Sequence, residues 1–239
     1  MGPPVSGDVL LRPALPEDVQ AIADLYSEAR VAAVPMMPPA LHSNAEDRAW
    51  FARQLAGPTR EAWVAERSGE LVGFAMVDPV WLDHLFTRAD AKGEGIGSML
   101  LDLVKSLRPD GFSLWVFESN TGARRFYARH DLVELERTDG SGNEEKAPDI
   151  RMAWPGADPL AFYRGLIDEV DEQLGDLLAR RVALTRAVQP HKPDAARDPA
   201  REREIAETMA LRAPELGADR LARIVHAIIT ESLDAGASG

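Results

Sequence analysis

Three glycines within six residues form the first pattern that could bind a ligand. Lys92-Gly93-Glu94-Gly95-Ile96-Gly97 follows a predicted strand and precedes a helix predicted over 98–107. Glycines at this spacing let several backbone N–H groups turn towards one point at the positive end of a helix, which suits a pyrophosphate, and Lys92 adds a cation. The spacing is neither a dinucleotide fingerprint, whose third glycine would fall at Ser98, nor a Walker loop. Alone, the segment is equally compatible with a tight turn that binds nothing.

An arginine interrupts an apolar stripe in the last third of the chain. Apolar residues recur every three or four positions from Leu160 to Val188, as in a long amphipathic helix, but Arg181 takes the place between Leu177 and Leu184. A guanidinium is strongly disfavoured there unless an anion meets it. A ligand carboxylate would satisfy this requirement, and so would an acidic residue of a neighbouring helix.

The composition excludes several classes of function. The chain has 239 residues, with 27 Lys and Arg against 39 Asp and Glu, and the net charge of −12 argues against a nucleic-acid binder. It contains no Cys, which excludes disulfides, thiolate metal ligands and a Cys nucleophile, and the residue pattern predicts no metal site. The start of the sequence does not resemble a signal peptide, and no apolar stretch approaches the roughly 18 residues of a membrane span. We therefore expect a cytoplasmic protein that binds neither nucleic acid nor membranes.

The aromatic residues divide the chain into two parts. All of the seven Phe, five Trp and three Tyr fall between Tyr26 and Tyr163. A core built from the whole chain would not usually be partitioned in this way, and the breaker-rich run 155–159 follows the aromatic part closely. We therefore predict two domains, over 1–156 and 159–239.

The pattern of residues 1–156 is that of a mixed α/β sheet domain. Short runs rich in Val, Leu, Phe and Trp alternate there with longer helical patterns. Ser68-Gly69 is a plausible hairpin turn between two of these runs. The predicted strands are VLLRPA, 61–67, 70–78, 81–87 and 112–117, and the predicted helices begin at Pro16, Ser98 and Asn120.

Two segments of this domain resemble motifs of the GNAT N-acetyltransferases. Lys92-x-x-Gly95-x-Gly97 followed by SMLLDLV resembles motif A, although the family usually has Arg or Gln in place of Lys92. SLWVFESNTGARRFYARHDLVEL resembles motif B, with Asp131-Leu132 where Gly-Phe is common. The resemblance covers roughly residues 8–154 and implies direct transfer of an acetyl group from acetyl-CoA to an amine.

The resemblance also implies roles for individual residues. The strand with Leu85, Phe86 and Thr87 would splay from its neighbour and bind pantetheine through its main chain. Tyr127 would protonate the departing thiolate, since its phenol pKa lies somewhat above that of a thiol, and Asn120 would contact the cofactor. The pyrophosphate would be held by Lys92, Gly93, Gly95, Ile96, Gly97 and Ser98. A half-buried core role for Tyr127 is the alternative.

The general base and the acceptor amine stay open at this point. Five residues are candidates for the base: Glu28, His42, Glu46, Asp83 and His84. Any one of them is more often a surface or fully partnered residue, and many amines need only water to lose a proton.

Residues 159–239 are predicted to form three helices. The long stripe from Leu160 is followed by a helix from about Asp198 to Leu211, with Asp198 as N-cap and Pro199 in the first turn. A third helix follows the turn at 214–217. Three helices without aromatic residues make a thin core, so we expect pairing with a second copy.

This helical part resembles the all-helical (AroQ-type) chorismate mutases over residues 160–235. The matching residues keep the order and near-identical spacing of the family: Arg164, Arg181, Lys192, Asp198, Arg201, Glu202 and Ser232. The resemblance implies rearrangement of chorismate to prephenate, a pericyclic step that needs no cofactor but must stabilise charge on the ether oxygen.

Each polar residue has a role by the same resemblance. Arg181 and the Arg164 of a second copy would clamp the two carboxylates, Lys192 would donate to the ether oxygen and Glu202 would meet the hydroxyl. Arg201 and Ser232 would complete the polar wall. Because Arg164 and Arg181 are separated by about 25 Å along one straight helix, one small diacid cannot touch both. We therefore expect an interlocked homodimer with two sites.

One departure from the mutase pattern leaves alternatives open. Gly236 stands where the family commonly has Gln or Glu, and the lost donor would cost about two to three powers of ten in rate. The sequence thus allows a bifunctional acetyltransferase and chorismate mutase. It also allows a domain that acts on 4-amino-4-deoxychorismate, whose amine could be the acetyl acceptor, or a non-catalytic dimerisation or sensing module.

Overall fold

The chain folds into two compact units, Met1–Tyr163 and Arg164–Gly239. The computed structural model describes residues 8–191 and 198–237. Within these ranges, no helix combines the length with the apolar run that a bilayer crossing needs.

The first unit holds seven strands with four helices between them. The strands are β1 Leu10–Pro13, β2 Glu61–Arg67, β3 Glu70–Val77, β4 Leu82–Thr87, β5 Phe112–Phe117, β6 Val133–Thr138 and β7 Asp149–Trp154. The helices are α1 Val19–Ala32, α2 Asn44–Ala56, α3 Ile96–Leu107 and α4 Thr121–Arg129. The predicted α/β sheet domain is confirmed.

The strands form two sheets that meet where β4 and β5 begin. β1-β2-β3-β4 is an antiparallel sheet, and β5-β7-β6 is another. Among the described residues, a single parallel bridge, Trp81 to Ser113, joins them at the start of β4 and β5. Beyond this bridge the edge of β4 has no strand partner, as the predicted splay requires.

Two backbone features of the sheet follow from local sequence. Ser68 and Gly69 both have positive φ, 54° and 83°, which is the requirement of a two-residue hairpin turn whose twist matches the strands. In β4 the register jumps from Leu82 opposite Val77 to His84 opposite Met76, so Asp83 is an extra residue. Such a bulge re-aims the side chains that follow it.

Helices cover both faces of the first sheet. Neighbouring residues of a strand point to opposite faces, and Leu85 packs with the α3 cluster whereas Phe86 packs with the α1 and α2 cluster. Ile96 and Leu100 are buried in the first cluster, and Phe51 in the second. Successive side chains of β4 therefore point alternately into the two hydrophobic clusters.

Two helical details differ from the prediction. α3 begins at Ile96 rather than Ser98, because Gly95 in the left-handed region is its N-cap. α2 was not predicted as a helix, although Ser43 and Glu46 form a capping box at its start. α4 agrees with the prediction, since Asn120 is its N-cap and Arg129 its last residue.

The helical unit contains one well-packed pair of helices. α5 spans Pro159–Val188, α6 spans Pro199–Ala210 and α7 spans Gly217–Ala237. Asp198 caps α6 by accepting from the N–H groups of Ala200 and Arg201, as predicted. The small core between α6 and α7 contains Ala206, Leu221 and Val225. No residue of α5 is buried.

Candidate active sites

The glycine segment forms an open cradle of donors before α3. Gly93 and Gly95 have φ of +89° and +87°, a conformation that side chains rarely adopt. The N–H of Met99 is the first to bond back along the helix, to the carbonyl of Gly95 at 3.0 Å. The N–H groups of residues 96–98 therefore have no intrahelical acceptor and lie at the positive helix end.

Space is available in front of these donors. A Cβ atom at Gly93 or Gly95 would meet nothing within 4 Å, and one at Gly97 would come to 3.5 Å from the Phe126 ring. Lys92 is exposed beside the loop. The arrangement fits a phosphate-bearing ligand, as the sequence predicts.

Ser98 has a polar partner that the sequence did not indicate. Its Oγ lies 3.0 Å from Nε2 of His130, the C-cap residue of α4. The other ring nitrogen, Nδ1, lies 3.9 Å from a carboxylate oxygen of Asp102, one turn further along α3. These contacts fix the start of α3 against the end of α4.

The free edge of β4 runs beside this loop. Leu85, Phe86 and Thr87 pair with β3 on one side, opposite Ala75, Phe74 and Gly73. On the other side no strand pairs with them in the described part of the chain. Main-chain groups on that edge are available to an extended ligand arm.

Two residues at α4 have predicted roles: Asn120 caps the helix, and Tyr127 is buried. Asn120 Oδ1 accepts from the Ala123 N–H at 3.1 Å as the helix cap, which leaves its amide nitrogen for other contacts. Tyr127 is 8% exposed within the α3 core, and burial raises its pKa above the ordinary value. The phenol therefore stays protonated, as a proton donor must.

A cavity of about 490 Å³ lies between α1, α2 and β4. Aromatic rings form part of its wall: Tyr26, Trp50, Phe51 and His84. Ionisable side chains complete it: His42, Glu46, Asp47, Arg53 and Glu144. The volume is in the range of small-molecule sites.

Three of the five candidate bases line this cavity. They are His42, Glu46 and His84, whereas Glu28 and Asp83 do not line it. Glu28 is exposed, and Asp83 is bound to Arg60 at 2.6 Å. Burial raises the pKa of Asp83, and the hydrogen bond from Arg60 acts against this.

The three cavity candidates differ in basicity. Burial lowers the pKa of His84 to about 4, and its ring meets those of Tyr26 and Trp50 edge-on at 5.4 and 5.3 Å. His84 is thus a neutral and weak base. His42 lies 3.0 Å from a Glu144 oxygen, which raises its pKa. Glu46 closes the capping box with Ser43, whose hydrogen bonds lower the pKa of Glu46.

Asp47 is the cavity residue that the sequence reasoning missed. It is 9% exposed, and burial raises its pKa. Its position was readable from helical spacing, because Asp47, Trp50 and Phe51 are three and four residues apart and share one face of α2. That inference requires α2 to be recognised first.

In the helical unit, two predicted site residues meet. Arg181 Nη1 donates to Ser232 Oγ at 2.7 Å and to the Ile228 carbonyl at 3.3 Å. Ser232 is 2% exposed. No described carboxylate forms an ion pair with Arg181, so the guanidinium remains available to an anionic ligand.

The other predicted mutase residues are more dispersed. Glu202 Oε2 lies 3.6 Å from His226 Nδ1, and the exposed Arg201 pairs with Glu204 at 2.6 Å. Arg164 is exposed on the same helix as Arg181, and one protomer does not bring the two together. Lys192 lies outside the described residues.

Known families match both parts of the chain. The model of the acetyltransferase (GNAT) family matches residues 19–132, and that of chorismate mutase type II matches residues 163–235. An uncharacterized N-acetyltransferase of Archaeoglobus fulgidus is 38% identical over 96 residues, which cover 34% of this chain and 65% of that protein. The peptidyl-lysine N-acetyltransferase YjaB of Salmonella typhimurium is 31% identical over 99 residues, covering 41% and 68%.

Solved structures share the fold of the first unit. Apo YjaB from Escherichia coli superposes with a TM-score of 0.51 at 22% identity, covering 63% of this chain and 99% of that one. A GCN5-related N-acetyltransferase from Rhodopseudomonas palustris gives 0.52 at 25% identity, covering 64% and 99%. The chain belongs to the GNAT acetyltransferase family, and its C-terminal residues 163–235 match the type II chorismate mutase family.

Proposed function

We propose that the chain is a bifunctional enzyme, an acetyl-CoA-dependent N-acetyltransferase of a small amine joined to a chorismate mutase. The observation that carries the first activity is the cradle of free N–H groups at residues 96–98, opened by Gly93 and Gly95 beside the unpaired edge of β4. This cradle suits the pyrophosphate of a CoA thioester, and the β4 edge suits its pantetheine arm.

The transfer requires three proton movements besides the acetyl shift. The amine nitrogen bonds to the acetyl carbon as the carbon–sulfur bond breaks, so the products are an amide and a thiol. An ammonium acceptor releases one proton to solvent before attack, and the nitrogen loses a second proton as the amide forms. Tyr127, whose pKa is raised by burial, supplies the proton to sulfur and is reprotonated from solvent, which takes up the second proton of the nitrogen.

For the second activity, the supporting observation is the Arg181 and Ser232 pair. A buried hydroxyl orients a guanidinium that has no carboxylate partner among the described residues. Such a group binds a substrate carboxylate strongly. Glu202, with its side chain 18% exposed, is placed to meet a hydroxyl.

We further propose that the helical unit forms a homodimer. Apolar side chains along α5 are about half exposed: Ile167 57%, Val170 60%, Leu174 46%, Leu177 61% and Leu184 60%. A second copy covering this stripe would also bring its Arg164 to Arg181, since α5 separates them by about 25 Å within one chain. The same stripe favours the second candidate function, a dimerisation or ligand-sensing module without chemistry.

Product analysis separates these possibilities. The purified chain is incubated with chorismate and with 4-amino-4-deoxychorismate, each with and without acetyl-CoA, and products are identified by mass spectrometry. Prephenate is the expected product from chorismate. Unchanged chorismate would contradict the chorismate mutase activity. Rearrangement of only the amino analogue would show that the helical unit acts on 4-amino-4-deoxychorismate instead. An acetylated amino analogue would link the two activities.

A further inference from the structure

The cavity between α1, α2 and β4 contains a buried carboxylate that forms no ion pair with any described residue. Asp47 is 9% exposed, and its closest polar contact is a long 3.5 Å approach from the Ser27 hydroxyl. No described Lys, Arg or His forms an ion pair with it, although the charges of His42 and Arg30 act on it from a longer distance and lower its pKa against the effect of burial. An isolated buried carboxylate is costly unless a positive charge meets it. The cavity beside it is the place from which such a charge can come.

The rest of the wall also favours a cation. Glu46 and Glu144 add two carboxylates to the lining. The basic residues of the lining are Arg53 and His42, and His42 is itself bound to Glu144. His84 contributes no positive charge, because burial keeps it neutral at pH 7. Acidic side chains therefore outnumber basic ones among the residues that line the cavity.

Aromatic faces define the remaining shape. Tyr26 and Trp50 stand edge-on to the His84 ring, and Phe51 packs behind them. Rings of Trp and Tyr attract ammonium groups and pack against flat apolar bodies. A cavity of about 490 Å³ also holds considerably more than one extended alkyl chain.

We infer that this cavity binds a small primary ammonium compound with an apolar, ring-sized body and no carboxylate, and that Asp47 holds its ammonium group. The inference rests on the proposed acetyltransferase function and names its acceptor class. Asp47 is a positioning residue here, since the acceptor must still release a proton to solvent before its nitrogen attacks the thioester.

The same charges exclude 4-amino-4-deoxychorismate, the alternative substrate of the second domain, as acceptor. A carboxylate on the acceptor would lie against Glu46, Asp47 and Glu144, and like charges in a half-buried site are strongly unfavourable. The dicarboxylate 4-amino-4-deoxychorismate would bring two such groups. The cavity therefore separates the two activities rather than linking them.

A matched pair of acceptors tests the inference. Phenethylamine and phenylalanine have the same ring and amine but differ by one carboxylate. We expect kcat/KM with acetyl-CoA to be about 100-fold higher for phenethylamine. Equal rates for the two would overturn the inference, as would acetylation of 4-amino-4-deoxychorismate or clear preference for a lysine-containing peptide.

Variants assign the effect to Asp47. Asp47→Asn keeps the shape and removes the charge, so the KM for phenethylamine should rise about 30-fold while the Kd for CoA stays unchanged. Glu17→Gln, at an exposed carboxylate outside the cavity, makes the same change in net charge and should leave both values unchanged. An unchanged KM in Asp47→Asn would contradict the assignment.

Thermal unfolding and direct binding complete the test. If Asp47 serves a ligand rather than the fold, Asp47→Asn leaves the melting temperature equal or higher, whereas a structural role lowers it. Calorimetric titration of phenethylamine into the chain without acetyl-CoA reports on the cavity alone. If the chain binds the amine but not CoA, the acetyltransferase function is wrong and the cavity assignment stands. If it binds CoA but not the amine, the cavity assignment is wrong and the acetyltransferase function stands.

Discussion

The Arg181 guanidinium donates a 2.7 Å hydrogen bond to the Ser232 hydroxyl, which lies 51 residues further along the chain. Ser232 also donates to the Ile228 carbonyl at 2.6 Å, so its oxygen is held from both sides. The serine fixes one nitrogen of the guanidinium and leaves the others for a ligand. α5 and α7 thus meet through a polar contact at the position where the apolar stripe is interrupted.

Arg181→Ala should abolish prephenate formation. Loss of a charge-assisted carboxylate contact lowers the rate by about three powers of ten. Arg186→Ala is the control, since Arg186 is exposed and its hydrogen bond among the described residues goes to the Ala235 carbonyl. Prephenate is measured by mass spectrometry and the dimer by light scattering. Dissociation of the dimer in Arg181→Ala, with no activity to lose in the wild type, would instead show a structural arginine.

Gly95→Ala should weaken CoA binding. The residue has φ of +87°, where a side chain costs about 1 kcal/mol or more, although no atom obstructs the new Cβ. The loop relaxes and its N–H groups turn away, so we expect the Kd for CoA to rise about tenfold by calorimetry. Gly142→Ala is the matched control, because its φ is ordinary and its surroundings are open. Equal affinities in the two variants would show that the cradle does not bind CoA.

Asp131→Gly should stabilise the first unit. Asp131 is exposed and follows the C-cap of α4 with φ of 62°, and the Leu132 N–H donates to the Tyr127 carbonyl at 3.1 Å as in a glycine-terminated helix. We expect a gain of about 0.5 kcal/mol, and a loss of similar size for Asp131→Ala, by urea unfolding. A more stable Ala than Gly variant would contradict this account of the helix end.

The position of Asp131 shows what the sequence can establish. Motif order places α4 correctly and shows Asp131 where the family commonly has Gly, but only the backbone shows that this aspartate adopts the glycine conformation. Strand and helix periods likewise gave β2, β3, β5 and the three C-terminal helices to within a residue or two.

The acceptor cavity could not be found in this way. α2 has few large apolar residues, so its helical period is weak, and Asp47 is indistinguishable from its exposed neighbour Glu46 until the helix is oriented. His84 was a candidate base by position on a strand, but its pKa of about 4 depends on burial among rings from α1 and α2. The contact between Ser98 and His130 depends on how α3 meets α4.

His84 should make the fold sensitive to mild acid. The pKa of His84 in the folded chain, about 4, lies below the ordinary value of 6.5. Between these pH values His84 is therefore protonated in the unfolded chain and neutral in the folded chain. Stability is therefore lost as the pH falls, by up to about 2 kcal/mol at pH 5. Urea unfolding of wild type and His84→Phe at pH 7 and pH 5 should show a smaller loss in the variant. An equal loss in both proteins would contradict burial as the cause.

The central claim is that one chain carries two separate activities. It is tested most directly by one reaction mixture that contains the substrates of both. Wild type, Gly95→Ala and Arg181→Ala are each incubated with chorismate, acetyl-CoA and phenethylamine, and both products are followed by mass spectrometry. We predict prephenate and N-acetylphenethylamine from the wild type, slower acetylation only in Gly95→Ala, and loss of prephenate only in Arg181→Ala. Absence of either product from the wild type, or loss of both in one variant that remains folded, would contradict the account.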